Sequence, residues 1–399
     1  MHKLLSKFCS NTFKINELVL YSIFACFFSL YLSTSFHKVE FGDAILMASF
    51  FDMNSYLAIA SIDSPLELKL LLSQFPYHHI IRWIPHYVVG FFIKLSNASP
   101  FEVYRNFLYL LLLFNIFLVY QIRTKVLNRI CYLGFILLAP YTFISWLYAP
   151  AMFADALFFT AVIALSVGLI NGEMKYFYLA FFLGAISRQT FVLFIPIYLV
   201  YVFCESKNKK YSYKFFLYAL LLILSILLVN NFLLGEDKYN SNFKILTGLY
   251  YWILTPNFQN IGMFTENIGA FLLSICPLMI LKSKFRWDYL KLIYFFILAS
   301  QPILAGPFIT GGNAARLISL GIPLLAMQVL STNIKVKECI FFLVLTMLNC
   351  LHHNYSFLFV KIDRLDFLVL LIFTAMLSFV YFFYEKYYAK AHLIDNKLR

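Results

Sequence analysis

The chain has 399 residues, of which 62% are apolar, 20% aromatic and only 13% charged, well beyond the roughly 45–50% apolar usage of a soluble domain. Those proportions exclude a water-soluble fold. The net charge of +13 does not call for nucleic acid, because the Lys and Arg residues lie between apolar runs, where retention of basic loops in the cytoplasm accounts for them.

A spanning helix needs about 20 mostly apolar residues, with its backbone polar groups satisfied internally. The first such run, 18–36, follows Lys3, Lys7 and Lys14 and lacks a small-residue cleavage pattern, so it reads as an uncleaved outward span. Residues 37–102 form a long first outer loop. Within it, Arg82 to Lys94 is too short to span, and counting it would put Arg123, Lys125 and Arg129 outside. It is therefore laid along the outer leaflet as a surface helix. The chain then runs inward over 103–122, outward over 130–147 and inward over 153–171. Two short arms, 175–187 outward and 189–204 inward, meet at Ser187-Arg188-Gln189 near the outer face. After the basic cluster Lys207, Lys209, Lys210 and Lys214 come spans 213–234 and 266–282, joined by a second outer loop, 235–265. Spans 288–305, 316–331, 336–352 and 366–384 follow, and 385–399 is a cytoplasmic tail. The predicted fold is all-α: one polytopic membrane domain over 1–399, with about twelve transmembrane helices and both termini in the cytoplasm.

Seven cysteines are scattered singly in apolar runs and read as packing residues, with no disulfide framework or zinc site. The outer-side segments hold the residues with chemistry. Phe41-Gly42-Asp43-Ala44 puts a carboxylate beside a flexible glycine just past the first span, where it can act as a general base or hold a divalent cation. A solvated acid near a helix N-terminus is its plainer role. Pro76-Tyr77-His78-His79-Ile80-Ile81-Arg82-Trp83-Ile84-Pro85 gathers two histidines and an arginine among aromatics. His78, His79 and Arg82 suit phosphate binding or assistance to a leaving group, and interfacial anchoring suits the same composition.

Arginine away from the cytoplasmic side needs an anionic partner or a polar cavity, which singles out Arg188 and Arg316. Arg316 closes Thr310-Gly311-Gly312-Asn313-Ala314-Ala315-Arg316, where paired glycines let backbone approach a ligand. A structural ion pair, with Asp43 or Asp155 for example, is the other role open to either arginine. Asp155, at the outer start of a span, is an N-cap-like acid or a second carboxylate of the outer cavity. Tyr250, Tyr251 and Trp252 read as interfacial anchors before sugar-stacking surfaces, and His352-His353 as interfacial. There is no Walker A loop, H-E-x-x-H or G-x-S-x-G.

Taken in order, an early acid (Asp43), a His-x-x-Arg-x-x-Pro stretch (His79, Arg82, Pro85), a small-residue-Asp-Ala span start (Asp155), a Ser-Arg helix junction (Arg188) and a Gly-Gly-Asn-x-x-Arg segment with a following proline (Arg316, Pro323) resemble the GT-C superfamily of membrane glycosyltransferases. The likeness is to bacterial members working on lipid-linked sugars, and it covers residues 18–331. It implies an outer-face cavity for a polyprenyl-phosphate-linked sugar donor and a glycan or lipid-linked acceptor. The first-loop acid, Asp43, would be the catalytic base of inverting transfer, and Arg82, Arg188 and Arg316 would hold the phosphate. Family members often pair that acid with a neighbouring one, whereas Ala44 follows Asp43 here, so a divalent cation is the one cofactor left open. The expected function is glycosyl transfer in surface polysaccharide assembly at the outer face of a bacterial plasma membrane. An O-antigen or capsule repeat-unit polymerase uses similar substrates. A flippase or transporter of lipid-linked glycan is the reading from another class, and it sits less well with charges at the outer surface and no two-half repeat.

Overall fold

The computed structural model describes residues 12–13, 54–75, 77–96, 98–139, 142–143, 146, 150–205, 212–234, 275, 277–278, 287–301, 314–344 and 346. These are almost wholly helical. A two-residue antiparallel pair, β1 (Thr12–Phe13) against β2 (Trp287–Asp288), is the one sheet element among them.

The first expected outer loop is built of helical pieces: α1 (54–61), α2 (Leu68–Leu71) behind a 3-10 turn at Pro65–Glu67, α3 (Tyr77–Ile80) and α4 (Trp83–Ser96). The stretch from Arg82 to Lys94 thus lies almost entirely in one helix. Two Ser-Pro-x-Glu segments set helix starts here. Ser64 Oγ accepts from Leu66 N and Glu67 returns a carboxylate oxygen to Ser64 N; Ser99 and Glu102 repeat the arrangement at the start of α5 (Pro100–Tyr120). In each, proline costs nothing at the first helical position and two orphan N–H groups are satisfied. Where α4 crosses α1, Gly90 is required for contact: a Cβ there would stand 2.0 Å from the Ala60 carbonyl oxygen.

Next come α6 (Val126–Leu138), α7 (Phe153–Asn171, entered through a 3-10 turn at Pro150–Met152), α8 (Met174–Ser187), α9 (Phe194–Cys204) and α10 (Ser212–Leu234). The later helices are α11 (Tyr289–Ala299), α12 (Ala314–Ser319), α13 (Ile322–Leu330) and α14 (336–344). Three stretches are long and apolar enough to cross a membrane, Pro100–Tyr120, Pro150–Asn171 and Lys214–Leu234. They coincide with the expected spans 103–122, 153–171 and 213–234.

Helix α7 is the axis of the core. It is apolar on every side, which suits a helix enclosed by others, and every residue from Phe153 to Leu169 is buried. It packs most extensively on α8 and also on α5, α13 and α4. Its hydroxyls are satisfied within the helix, Thr160 donating to Ala156 O and Ser166 to Val162 O, as a buried membrane helix requires. Gly172 ends it at φ +69°, with its N–H returning to Gly168 O. By contrast, α5 exposes Tyr109, Leu110, Leu113 and Phe117, and α10 exposes Leu217, Leu221, Leu228 and Phe232. Apolar faces of that extent suit hydrocarbon rather than water.

Two expected spans have different bounds in the structure, both because of proline. Within the run 130–147, helix α6 ends at Leu138. Ala139, ahead of Pro140, is extended at φ −60°, ψ 145°, since the proline ring disfavours the helical region for the residue before it. The run 316–331 is divided into α12 and α13 at Leu320-Gly321, where Gly321 N–H returns to Ile318 O and Pro323 opens the next helix.

One end of the bundle collects basic turns. Asn171 bridges the α5–α6 turn, accepting from Arg123 N and donating to Gln121 O. Arg123 and Lys175 both pair with Glu173. Asn128 Nδ2 reaches the carbonyls of Val329, Leu330 and Thr332 at 3.1, 3.1 and 2.5 Å, tying α6 to the end of α13. In the same region Cys131 and Cys339 are free thiols with sulfurs 2.9 Å apart. The first and last expected spans, 18–36 and 366–384, the second outer loop and the tail lie outside the described residues.

Candidate functional site

The opposite end of the bundle, where α5, α7 and α9 begin and α8 stops, holds the polar residues that composition alone would keep out of such a core. Asp155 lies in the first turn of α7 and is 1% exposed. Its carboxylate takes two arginines. Arg188 Nη1 donates to Oδ1, and Arg316 Nε lies 3.5 Å from Oδ2. These are the ion pairs that the sequence left open as the structural role of both arginines.

Arg188 reaches Asp155 because the chain breaks there. Its backbone is extended at φ −152°, ψ 145°, between the end of α8 and a 3-10 turn at Gln189–Leu193. Its N–H closes α8 on Gly184 O at 2.9 Å, and its guanidinium lies 6.0 Å from the Phe158 ring, one turn along α7 from Asp155. The expected short-helix junction at Arg188 is therefore present. Arg316 arrives from α12, with Nη1 4.0 Å from Met152 Sδ at the entrance to α7.

The third arginine comes from the first-loop helices. Arg82 is 7% exposed and donates from Nη1 to the Tyr56 hydroxyl of α1 at 2.8 Å. The Tyr56 ring stacks on His86, with centroids 4.0 Å apart and planes 9° apart. His86 Nδ1 is 2.9 Å from the Tyr104 hydroxyl, which donates on to the Tyr56 carbonyl at 3.5 Å. His79 is buried, its Nδ1 2.9 Å from Ser55 Oγ, and its ring lies 5.5 Å from that of Tyr56. Tyr104 in turn meets Phe153, two residues before Asp155.

These groups share one electrostatic environment. The Arg82, Asp155 and Arg316 charges, with the Tyr56 hydroxyl, act on the Arg188 guanidinium, and the Arg82 and Asp155 charges act on His86. His86 is wholly buried on α4, a helix outside the expected spans. Burial first, then the adjacent Arg82 charge, push its pKa down to about 3 against a partial offset from Asp155, so the imidazole is neutral.

Of the residues expected from sequence, Asp155, Arg188 and Arg316 meet in ion pairs, and His79 and Arg82 pack with Ser55 and Tyr56, the Arg82 charge acting on Arg188. His78 lies in α3, with only its backbone described, and Asp43, with the Gly311-Gly312-Asn313 segment, falls outside the described residues. Tyr56, His86 and Tyr104 were missed. His86 had a legible signal, since it stands one helical turn after Arg82 and directly behind Pro85. Tyr56 and Tyr104 had none among so many tyrosines. Among the described residues no three His, Cys, Asp or Glu side chains are grouped as a metal site. Chemically, the arrangement can bind an anion. Two guanidiniums, of Arg188 and Arg316, converge on Asp155 in a weakly hydrated place, where charge-assisted hydrogen bonds are strong. No family model matches the chain, and no curated protein or solved structure matches it.

Proposed function

We propose that this protein is a multi-pass glycosyltransferase of a bacterial-type plasma membrane, with about twelve spans and both termini cytoplasmic. It moves a sugar or oligosaccharide from a polyprenyl phosphate to a glycan or lipid-linked acceptor at the outer face, in surface polysaccharide assembly. The observation that supports this reading is the meeting of Arg188 and Arg316 on Asp155, from segments far apart in the chain, with the Arg82 charge acting on Arg188. Buried ion pairs are poor stabilisers, because desolvation offsets most of their attraction. A cluster of this kind is better accounted for by an anion it must hold. The separation of this cluster from the basic turns at the other end of the bundle supports an outer location for it.

In the reaction, the acceptor hydroxyl gives its proton to the Asp43 carboxylate while its oxygen attacks the anomeric carbon of the donor. The anomeric C–O bond breaks, its electron pair stays on the phosphate oxygen, and the arginines stabilise the charge that develops there. Asp155 keeps two of these guanidiniums oriented when the site is empty.

The test uses proteoliposomes of the full chain with lipid-linked glycan and acceptor. Wild type is expected to form a new glycosidic bond and Asp43→Asn to form none while inserting normally. Movement of intact lipid-linked glycan across the vesicle with no new bond would replace this reading by a transporter, and full activity of Asp43→Asn would remove that carboxylate from the mechanism.

A further inference from the structure

We propose that Cys131 and Cys339 are a redox pair: a small oxidant of the peroxide class converts the two packed thiols into a disulfide that staples α6 to α14. The proposal is independent of the transferase reading above.

Geometry carries the pairing. The sulfurs are 2.9 Å apart, inside the roughly 3.5–4.0 Å at which even two carbon atoms rest. A covalent S–S bond, about 2.05 Å long, lies within about 0.9 Å of that separation. Contacts on both flanks hold the two helices in this register. On one side Asn128 reaches the Val329, Leu330 and Thr332 carbonyls, and Lys125 Nζ donates to Asn333 Oδ1 at 2.7 Å, so the turn that leads into α14 is tied to the start of α6. On the other, Gly134 lets Leu343 lie against α6, since a Cβ there would stand 2.2 Å from Leu343 Cδ2, and the Phe135 and Phe342 rings are 5.7 Å apart. The Cys339 thiol also points at the Leu127 carbonyl, 3.9 Å away. Two thiols held in this way react as one intramolecular pair, and closing the bond takes side-chain torsion rather than movement of a helix.

Exposure orders the steps. Cys131 is 0% exposed and Cys339 4%, with Ile340 beside it at 58%, so Cys339 meets the oxidant first. Its sulfur attacks the O–O bond of hydrogen peroxide, keeps one oxygen as a sulfenic acid and releases the other as water. The Cys131 sulfur then attacks the Cys339 sulfur, the S–O bond breaks, and the hydroxyl leaves with the Cys131 proton as a second water. Two thiols and one peroxide thus give one disulfide and two waters, the thiols supplying both electrons. Burial keeps out bulky charged disulfides such as oxidised glutathione and makes the thiols slow to react, so the pair answers sustained peroxide. It shields the product from protein reductants in the same way. The bond joins positions 208 residues apart at the end of the bundle away from Asp155. A cross-link over so long a segment acts by restricting the unfolded chain, so its effect is on stability and leaves the arginine cluster unaltered.

The test treats the full chain in nanodiscs with hydrogen peroxide, blocks remaining thiols with an alkylating agent and maps peptides without reduction. Wild type should yield a linked Cys131–Cys339 peptide pair, two hydrogens lighter than its reduced partners and separated by dithiothreitol. Its melting midpoint should rise by about 4–8 °C, the span of a typical disulfide in a chain of this size. Cys131→Ser and Cys339→Ala should each lack both the linked peptide and the rise. A variant with Cys9, Cys26, Cys204, Cys276 and Cys350 all replaced by Ser should keep both. Thiols at 131 and 339 that remain alkylatable after peroxide has oxidised the methionines would overturn the proposal. Separate sulfinic acids at the two positions, or links from either to another cysteine, would do the same. A linked pair without a rise in the midpoint would overturn the staple.

Discussion

Replacing Asp155 with Leu, Arg188 with Met, and both together would measure how the site is held. Asp155 is 1% exposed and the Arg188 side chain 4%, so each single change strands a charge without water to receive it. Removing one partner of such a pair costs about 3–5 kcal/mol. The two changes are unequal. Loss of Asp155 leaves Arg188 buried within reach of the Arg82 and Arg316 charges, at the upper end of that range. Loss of Arg188 leaves Asp155 still 3.5 Å from Arg316 Nε, and the cost falls to roughly 2–3 kcal/mol. The double variant removes both charges and should cost no more than the milder single, giving a coupling of about 5 kcal/mol. Thermal unfolding in nanodiscs is the assay. At roughly 2 °C per kcal/mol for a chain of this size, Asp155→Leu should lower the midpoint by about 10 °C, and the double variant should recover about half of that. Single effects that add to the double within about 0.5 kcal/mol would refute direct coupling of Asp155 and Arg188, and with it the site geometry.

Elsewhere the structure separates costly polar contacts from cheap ones. Asn128→Leu removes the amide contacts to the Val329, Leu330 and Thr332 carbonyls that tie α6 to the end of α13, so it should lower stability by about 2 kcal/mol. Glu173→Ala breaks pairs with Arg123 and Lys175, whose side chains are 73% and 68% exposed, and should cost under about 1 kcal/mol; the reverse order in one melting series would contradict the burial described above. Glu205, just past the end of α9, has its pKa raised to about 7, first by burial of its carboxyl and then by nearby Asp288, against Lys291 and a hydrogen bond from Tyr294. Between the ordinary Glu pKa and 7 the folded protein holds this proton more tightly than the unfolded chain, so stability falls as pH rises through that window. Glu205→Gln should be less pH-sensitive than wild type between pH 5 and 8, and identical pH profiles would refute the assignment.

The all-helical, membrane-type character was legible because it depends on long apolar runs, and the helices at Pro100–Tyr120, Pro150–Asn171 and Lys214–Leu234 follow from run length and backbone satisfaction alone. The break at Arg188 was equally local, since a charged residue flanked by Ser and Gln cannot continue two apolar arms. The early ends at Ala139 and Gly321 were local too, and were missed because apolar run length was followed across Pro140 and ahead of Pro323. What the sequence by itself determined, then, is helical class, approximate helix positions and the oddity of five polar residues in an apolar chain. Only the tertiary structure decided that Arg188 and Arg316 share Asp155, that Arg82 turns to Tyr56, and that Tyr104 and Tyr56 hold His86. The physical reason is range. Helix formation depends on neighbours within a few residues, whereas the pairing of buried charges depends on which helix ends meet when α7 is enclosed, and no local pattern records that.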